Sequence, residues 1–336
     1  MNKKKVIDVK MRGMTVMNDV YSIGEALIDF IPSVTDSDLK DVSSFKRVMG
    51  GAPANVAMTV SKLGGKSRFI SKLGKDAFGD HITEQLEQYG VDTTYLLKTD
   101  EANTGLAFVS LKKDGQRDFS FYRKPSADML LSDTEVKDIP FNKGDLLHFC
   151  SVDLIEAPVK YAHKQVIEDA IRQGATISFD PNVRLPLWPD EASCKEAIQS
   201  FLPLADIVKV SDEELTFITG IKDEQEALQS LFKERVKCVI YTKGKDGAVL
   251  LMKGFNVAHH GFKVEAIDTT GAGDAFIGSF LYQLAELEKI TDLTEEGARD
   301  MLTFSNAFAA LTTTKHGAVE SLPTIEATKA FIHQQN

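Results

Sequence analysis

The chain has 336 residues, of which 43% are hydrophobic and 26% charged, and its formal net charge is −10. This length suits one large α/β domain, or one domain with a small attachment. The acidic balance argues against a nucleic-acid partner, which calls for a basic face, and no apolar run approaches the length of a membrane span. The three cysteines show no paired spacing, so we expect a reduced cytoplasmic protein.

Short apolar runs alternate along the chain with segments of helical periodicity, which predicts βαβ units and a mostly parallel sheet. The predicted core strands cover 20–24, 68–73, 146–151, 176–180, 207–210, 238–242 and 248–252. The predicted helices cover 54–63, 78–89, 159–172, 194–202, 213–219, 224–232, 274–288 and 296–313. We therefore predict a three-layer, doubly wound α/β domain that binds ligands beyond the carboxyl ends of its strands.

One region departs from this alternation. Residues 104–111 and 119–123 read as two strands of a hairpin joined by the turn 112–116, and residues 26–31 are able to extend the same small sheet. The residues alone leave two interpretations open. The small sheet either closes over a ligand as a lid, or is a peripheral hairpin that does not move.

The segment Asp268-Thr269-Thr270-Gly271-Ala272-Gly273-Asp274 leads directly into an amphipathic helix. Small residues let the backbone N–H groups of a helix N-terminus approach an anion, and the helix dipole favours negative charge there. Asp274 would repel a phosphate at this place, unless it accepts a proton from the group that attacks the phosphate. The combination favours phosphoryl transfer to a hydroxyl, with a simple helix-capping turn as the alternative.

A second glycine-rich element, Met49-Gly50-Gly51-Ala52-Pro53-Ala54-Asn55, lies far upstream. The two glycines give close access to the backbone, and the Asn55 amide supplies both a donor and an acceptor. Such a surface suits the neutral hydroxyl groups of a sugar. The alternative is an ordinary loop that leads into a core helix.

Together these two elements resemble the two signatures of the ribokinase-like (PfkB) carbohydrate kinases. Residues 22–25, 71–76, 241–247 and 317–323 match further family segments in the same order. The resemblance begins near Val20, which implies a flexible N-terminal extension over residues 1–18. A kinase domain over 19–336 would then include lid segments at about 26–48 and 103–126. Residues 24–30, 121–128 and 179–188 are most similar to the fructokinases.

The resemblance also implies roles for individual residues. The catalytic group comprises Asp274 as general base, with the backbone N–H groups of Gly271, Ala272, Gly273 and Asp274 stabilising the transferred phosphoryl group. The sugar would be held by Asp29, Gly50, Gly51 and Asn55. Arg123 would either fix the far end of the sugar from the lid or be a surface charge. Asp29 has its own alternative as a solvated acid at a strand end.

For the nucleotide, ATP, the resemblance implies contacts with Lys209, Ser211, Thr242, Gly244, Gly247 and Asn306. Ser211 stands where the family has Asn, which leaves one amide contact fewer, and Asn306 has an alternative role as a buried structural amide. Glu214 would hold Mg²⁺ through water, or be a helix-surface acid. Asp268, Thr270, Gly317 and Ser321 match the loop that binds a monovalent cation, usually K⁺.

We therefore predict an ATP-dependent fructokinase that makes fructose 6-phosphate and forms a homodimer through the lid. The rivals are kinases for other small sugars or sugar acids, including ribose and 2-keto-3-deoxygluconate, because Arg123 or Arg184 is available to bind a carboxylate. A rival of a different class is a sugar-responsive regulator without catalysis. A nicotinamide-dependent oxidoreductase is disfavoured because Phe276 replaces the third glycine of the dinucleotide fingerprint.

Overall fold

The computed structural model describes residues 17–34, 37–111 and 117–335. Most of the predicted N-terminal extension and the whole predicted hairpin turn at 112–116 lie outside the described residues. The strands are, in chain order, β1 Val20–Ile23, β2 Leu27–Pro32, β3 Phe45–Gly50, β4 Ser67–Gly74, β5 Leu96–Thr99, β6 Gly105–Leu111, β7 Arg117–Tyr122, β8 Leu146–Cys150, β9 Thr176–Asp180, β10 Ile207–Ser211, β11 Cys238–Thr242, β12 Ala248–Met252 and β13 Phe255–His259.

A nine-stranded sheet forms the centre of the molecule, in the order β13-β12-β11-β10-β9-β8-β1-β4-β5. Its strands are parallel from β5 to β11, and the last two pairs, β11–β12 and β12–β13, are antiparallel. Every residue of β1, β8 and β9 is buried. These strands are buried on both sides because helices cover both faces of the sheet.

Helices cover the two faces of this sheet. They are α1 Ala52–Lys62, α2 Ala77–Gln88, α3 Pro158–Gln173, α4 Glu191–Phe201, α5 Asp212–Thr219, α6 Glu224–Ser230, α7 Ala272–Leu284, α8 Glu295–Thr312 and α9 Ile325–Gln335. One core cluster packs α3 to α6 against one face, and a second packs α1, α7 and α8 against the other. The prediction of a three-layer, mostly parallel α/β fold is thus confirmed.

The small sheet has four strands in the order β3-β2-β6-β7. Strands β2 and β6 are parallel, and the outer pairs β2–β3 and β6–β7 are antiparallel. Within β2, Asp29 lies opposite Val48 of β3 and Ala107 of β6. The predicted separate small sheet is confirmed, with β3 as a strand that the sequence analysis did not identify.

The predicted core strands and helices are all present, and the differences lie at their ends and edges. Helix α7 ends at Leu284, not at residue 288, because the amides of Glu286 and Leu287 bond to carbonyls three residues back and tighten the last turn. Strands β5 and β13 and helix α9 were not predicted. No helix in the described part of the chain is long and apolar enough to span a bilayer.

Candidate active site

The candidate site lies at the carboxyl edge of the central sheet. Because β8, β9 and β10 are parallel, their last residues Cys150, Asp180 and Ser211 meet at one edge. Burial raises the pKa of the Cys150 thiol, and so do the charges of Asp180, Glu25 and Asp274, the last of which lies in the first turn of α7. Strand ends and the glycine-rich turn therefore surround one place.

Close packing of α1 against α7 brings Asn55 to Asp274. A Cβ atom on Gly278 would lie 2.7 Å from the Thr59 Cβ atom, so only glycine allows the two helices to approach this closely. Asn55 and Asp274 lie one turn before these two residues, and the Asn55 Nδ2 donates a 2.9 Å hydrogen bond to the Asp274 Oδ2. The glycine in the helix interior therefore sets the distance between two predicted site residues.

Asp274 is suited to accept a proton near neutral pH. Burial raises its pKa to about 6, and the hydrogen bond from Asn55 works in the opposite direction by stabilising the carboxylate. The Asn55 side chain is itself buried, and its Oδ1 accepts no hydrogen bond from any described residue. Asn55 thus orients the carboxylate with its amide N–H and leaves its oxygen available to a hydroxyl donor.

The glycine-rich turn has the geometry of an anion site. Gly271 has a φ of 75°, and a Cβ atom there would lie 2.6 Å from the Ala318 Cβ atom. The first i→i−4 bond of α7 runs from the Ala275 amide to the Gly271 carbonyl. The amides of Gly273 and Asp274 precede it and have no partner within the helix. This turn therefore presents backbone donors beside the Asp274 carboxylate.

Lys209 lies next to this turn, as predicted for a nucleotide-binding residue. Its Nζ is 3.6 Å from the position of a Cβ atom on Gly273, and it forms a buried 2.6 Å ion pair with the Asp180 Oδ2. Burial disfavours the ammonium, but the charges of Asp180 and Glu214 outweigh it and raise the pKa of Lys209. Asp180 is not among the site residues predicted from the sequence. An acid at the end of a predicted core strand is nevertheless a pattern that indicates a site residue.

On the sugar side, the structure brings the predicted residues Asp29, Gly50 and Gly51 together. A Cβ atom on Gly50 would overlap the Asp29 Oδ2, and one on Gly51 would overlap the carbonyl oxygen of Glu25. Gly51 also has a φ of 108°. The Glu25 Oε1 accepts a 3.1 Å hydrogen bond from the Ala52 amide at the start of α1. The backbone here approaches closer than any side chain would permit.

Arg123 is buried, with 6% of its surface exposed, so its interpretation as a surface charge is wrong. Its Nη2 bonds to the carboxylate of Asp128 and, at 2.6 Å, to the Asp153 Oδ1. Glu25 lies near enough to influence the pKa of Arg123. Sequence analysis missed Glu25, Asp128 and Asp153 as site residues because they are brought together only by the fold.

Glu214 is engaged by backbone and side-chain donors. Its Oε1 accepts a 2.7 Å bond from the Val183 amide, and its Oε2 accepts bonds from the amide (3.0 Å) and the hydroxyl (2.8 Å) of Ser211. Burial raises its pKa, but the Lys209 charge and these hydrogen bonds outweigh it and lower the pKa. Glu214 is therefore an ionised carboxylate that orders the start of α5, and it is partly exposed. Its two predicted roles, a holder of Mg²⁺ through water and a helix-surface acid, stay predictions.

The predicted monovalent-cation loop is partly assembled around Asp268. Its Oδ1 accepts bonds from the Thr270 amide (3.0 Å) and hydroxyl (2.7 Å), and its Oδ2 accepts a 3.1 Å bond from the Gly317 amide. Ser321 is buried and donates to the Ala318 carbonyl at 3.1 Å. In the described ranges, no three His, Cys, Asp or Glu side chains are grouped to hold a metal ion. Backbone oxygens and water would have to supply most ligands.

The remaining predicted nucleotide residues lie along β11 and α8. Thr242 is the last residue of β11, and Gly244 and Gly247 form the tight turn to β12 with φ values of 51° and 92°. The buried Asn306 amide donates a 2.7 Å bond to the Leu302 carbonyl of its own helix. Within the described residues, no hydrogen bond joins Asn306 to Asp274. Its role toward the nucleotide stays a prediction.

The fold and this site define a class: a doubly wound α/β domain with a small attached sheet and a glycine-rich anion turn beside a carboxylate. The model of the pfkB family carbohydrate kinases matches residues 17–325. The chain therefore belongs to the pfkB family of carbohydrate kinases.

Individual relatives agree with this family. Probable fructokinase-5 of Arabidopsis thaliana is 44% identical over 307 residues, which cover 91% of this chain and 94% of that protein. Fructokinase-2 of Oryza sativa subsp. japonica is 43% identical and covers 94% of both. Among solved structures, fructokinase from Vibrio cholerae O395 in its fructose-, ADP- and calcium-bound form has a TM-score of 0.85 and 34% identity, over 94% of this chain and 99% of that one. Aminoimidazole riboside kinase from Salmonella enterica has a TM-score of 0.83 and 28% identity, covering 94% of this chain and all of that one (100%).

Proposed function

We propose that this protein is an ATP-dependent kinase that transfers the γ-phosphate of ATP to a hydroxyl of D-fructose, giving fructose 6-phosphate. The observation that carries the proposal is the 2.9 Å contact between Asn55 and Asp274 beside the glycine-rich turn at the start of α7. It joins an unsatisfied sugar-binding oxygen, a proton acceptor and a row of backbone donors in one place. The choice of fructose rests on the fructokinase relatives.

The chain's own residues supply three functions for this reaction. The Asp274 carboxylate accepts the proton of the sugar hydroxyl while the hydroxyl oxygen bonds to the γ-phosphorus. The bond between the γ-phosphorus and the oxygen that leaves with ADP breaks in the same step. The amides of Gly273 and Asp274 and the ammonium of Lys209 stabilise the negative charge on the transferred phosphoryl oxygens. Asn55 and Asp29 fix the sugar, so that the attacking oxygen lies near the Asp274 carboxylate.

The residues present fit the implied cations. Mg²⁺ on the nucleotide would neutralise charge on the phosphates. The ionised Glu214 would bind the waters around Mg²⁺ and not the ion itself, because both Glu214 oxygens already accept hydrogen bonds. A monovalent cation such as K⁺ would be held by oxygens of the loop around Asp268 and Gly317, which the 3.1 Å bond draws together. Thr242, Gly244, Gly247 and Asn306 remain our candidates for the rest of the nucleotide.

We also propose that the small sheet acts as a lid over the sugar, and that the protein works in the cytoplasm as a homodimer formed through this sheet. The support is an aromatic cluster on one face of the sheet, in which Phe30 stacks on Phe108 at 4.7 Å and Phe45 and Tyr122 meet Phe108 edge-on. Tyr122 leaves 63% of its surface exposed. Sedimentation analysis of the full chain tests the dimer, and a monomer at micromolar concentration would contradict it.

The proposed activity is tested by ADP release with ATP and Mg²⁺, with and without K⁺, across fructose, ribose, glucose, tagatose, aminoimidazole riboside and 2-keto-3-deoxygluconate. We expect fructose to dominate, and phosphorus NMR of the product to show the ester at the 6-position. Preference for another sugar would refute the choice of fructose but keep the base and the anion turn. No turnover with any substrate would favour a sugar-responsive regulator.

A further inference from the structure

A buried cluster of four ionisable side chains lies beside the residues predicted to bind the sugar. It consists of Glu25, Arg123, Asp128 and Asp153, and each has no more than 6% of its surface exposed. Arg123 bonds to both aspartates through one nitrogen. A single guanidinium is therefore shared among three carboxyl groups, which is an unusual excess of acid for a buried site.

The positive charge of Arg123 is compensated within this cluster. If all four groups are ionised, one positive and three negative charges give −2. Burial raises the pKa of Glu25 to about 7 and holds the pKa of Asp153 well above its usual range, with the Arg123 charge opposing both shifts. If those two carboxyls are protonated, Arg123 and Asp128 still balance each other. Arg123 thus has no charge left to compensate a ligand's carboxylate.

The cluster adjoins the predicted sugar residues through both of its sides. The Glu25 Oε1 accepts a hydrogen bond from the Ala52 amide, and the Glu25 carbonyl oxygen would lie 2.4 Å from a Cβ atom on Gly51. A Cβ atom on Gly105 would lie 3.3 Å from the Arg123 Cγ, and Gly105 pairs with Leu27, two residues before Asp29. Because side chains alternate along a strand, Leu27 and Asp29 lie on one face of the small sheet. Arg123 lies against that face.

The unsatisfied atoms of the cluster are mostly carboxyl oxygens. Among the described residues, the Glu25 Oε2, Asp128 Oδ1 and Asp153 Oδ2 are buried without a hydrogen-bond partner, and the Arg123 Nε is an unpaired donor. A sugar hydroxyl both donates and accepts hydrogen bonds, so it suits these oxygens whether they are ionised or protonated, and it offers an oxygen to the Arg123 Nε. A ligand carboxylate cannot donate, and it adds a negative charge beside the cluster.

Arg184, the other arginine considered from the sequence, does not lie in this cluster. Its guanidinium bonds to the Val183 carbonyl at 3.0 Å, and its charge acts on Asp274 and Asp180. It therefore lies on the phosphoryl-transfer side of the site. In a sugar acid that is phosphorylated at its terminal hydroxyl, the carboxylate is at the opposite end of the carbon chain. We therefore do not expect Arg184 to bind that carboxylate.

We propose that Glu25, Asp128 and Asp153 restrict this site to neutral polyol substrates, because they compensate the charge of Arg123 and leave none of it for the carboxylate of a sugar acid. This inference rests on the proposed sugar-kinase function and names the substrate class within it. Asp128 and Asp153 are specificity-determining residues, distinct from the proton acceptor Asp274 and from the anion turn.

The test compares kcat/KM for D-fructose and 2-keto-3-deoxygluconate in the full-length protein. We expect the unaltered protein to prefer fructose by at least about 100-fold, as unfavourable charge juxtaposition does at other binding sites. Asp153→Asn and Asp128→Asn each replace, at nearly constant shape, a carboxyl group bonded to Arg123 with an amide that cannot ionise. Each substitution should lower the ratio of kcat/KM for fructose to kcat/KM for 2-keto-3-deoxygluconate by about tenfold, through a rise in kcat/KM for the acid. Asp133→Asn neutralises an exposed carboxylate close by in sequence and should leave both values unchanged.

The outcomes separate this inference from the proposed function. If ribose or tagatose replaces fructose as the best substrate and the acid is still rejected, the choice of fructose fails but the inference stands. Comparable turnover of the acid by the unaltered protein, or an unchanged ratio in both folded variants, overturns the inference. If the variants do not fold, calorimetry of the unaltered protein decides. Binding of D-gluconate as tight as that of fructose, or no binding of any neutral sugar, overturns it.

Discussion

Replacing Asp274 with asparagine removes the proton acceptor while keeping the shape of the site. The side-chain oxygen of Asp274→Asn is still able to accept the bond from Asn55, so we expect the dissociation constant of fructose to change little. Loss of general-base catalysis should reduce kcat by roughly a hundredfold to ten-thousandfold. In the unaltered protein kcat/KM should fall about tenfold per pH unit below about pH 6, where the carboxylate is protonated.

The same substitution should stabilise the fold. The pKa of Asp274 rises from 3.8 to about 6 on folding, and each unit corresponds to about 1.4 kcal/mol, so ionisation costs the folded state up to about 3 kcal/mol. This is an upper limit, because Asp274 is only partly buried. The cost is absent below about pH 3.8, where both states are protonated, and complete above about pH 6. At pH 5 it is about half its full value.

Urea unfolding of both proteins at pH 5.0 and pH 7.5 measures this difference. We expect Asp274→Asn to be more stable than the unaltered protein at pH 7.5, by up to about 3 kcal/mol, and the gain to shrink at pH 5.0. Asp133→Asn, at an exposed carboxylate, is the control and should show neither change. Near-normal turnover would refute the assignment of the base, and a loss of stability at pH 7.5 would refute the account of its burial.

Three further substitutions test the architecture around the base. Gly271→Ala should lose about 1 kcal/mol of stability for its left-handed backbone, a further amount for the overlap with Ala318, and most of its kcat. Gly64→Ala, at a φ of 87° with no atom within 4 Å, should show only the loss from the backbone. Equal losses of stability in thermal unfolding would contradict the overlap at Gly271. Gly278→Ala should force α1 and α7 apart and destabilise by about 1–3 kcal/mol, with kcat falling more than KM rises; unchanged kinetics would show that this spacing does not position the base. Lys209→Met should destabilise the fold by about 3–5 kcal/mol, because it leaves the buried Asp180 unpaired. The double variant with Asp180→Leu should regain stability in urea unfolding but not turnover. Restored turnover in the double variant would show that Lys209 has no part in the mechanism.

The parts that could be predicted from the sequence are those in which local pattern and physical role coincide. Nearly continuous apolar runs such as β8 predict strands buried on both faces, and small residues before an amphipathic helix predict the turn at Gly271. Strand β5 has only four residues, and β13 is a short edge strand, so neither carries enough apolar pattern to be recognised. Their strand character comes from pairing with β4 and β12.

Residues that act through distant partners could not be predicted in this way. Asp153 gains its role from Arg123, which lies 30 positions earlier and directly after β7, and Asp180 gains its role from Lys209, 29 positions later. Asp153 lies in a short turn after β8 and Asp180 ends β9, so either acid reads from sequence as an ordinary polar residue. Arg123 itself was ambiguous from sequence, because only its burial separates an internal ion pair from a surface charge.

The contact between α1 and α7 divides the site into a fixed part and an adjustable part. Asn55 and Asp274 belong to two helices that meet without space for a methyl group at Gly278, so the proton acceptor keeps its position relative to the sugar-binding amide. Asp29 and Arg123, in contrast, belong to the small sheet and its margin. Substitutions there can change which sugar is selected without disturbing proton transfer. A family of kinases with different acceptors can therefore diversify from one unchanged pair of helices.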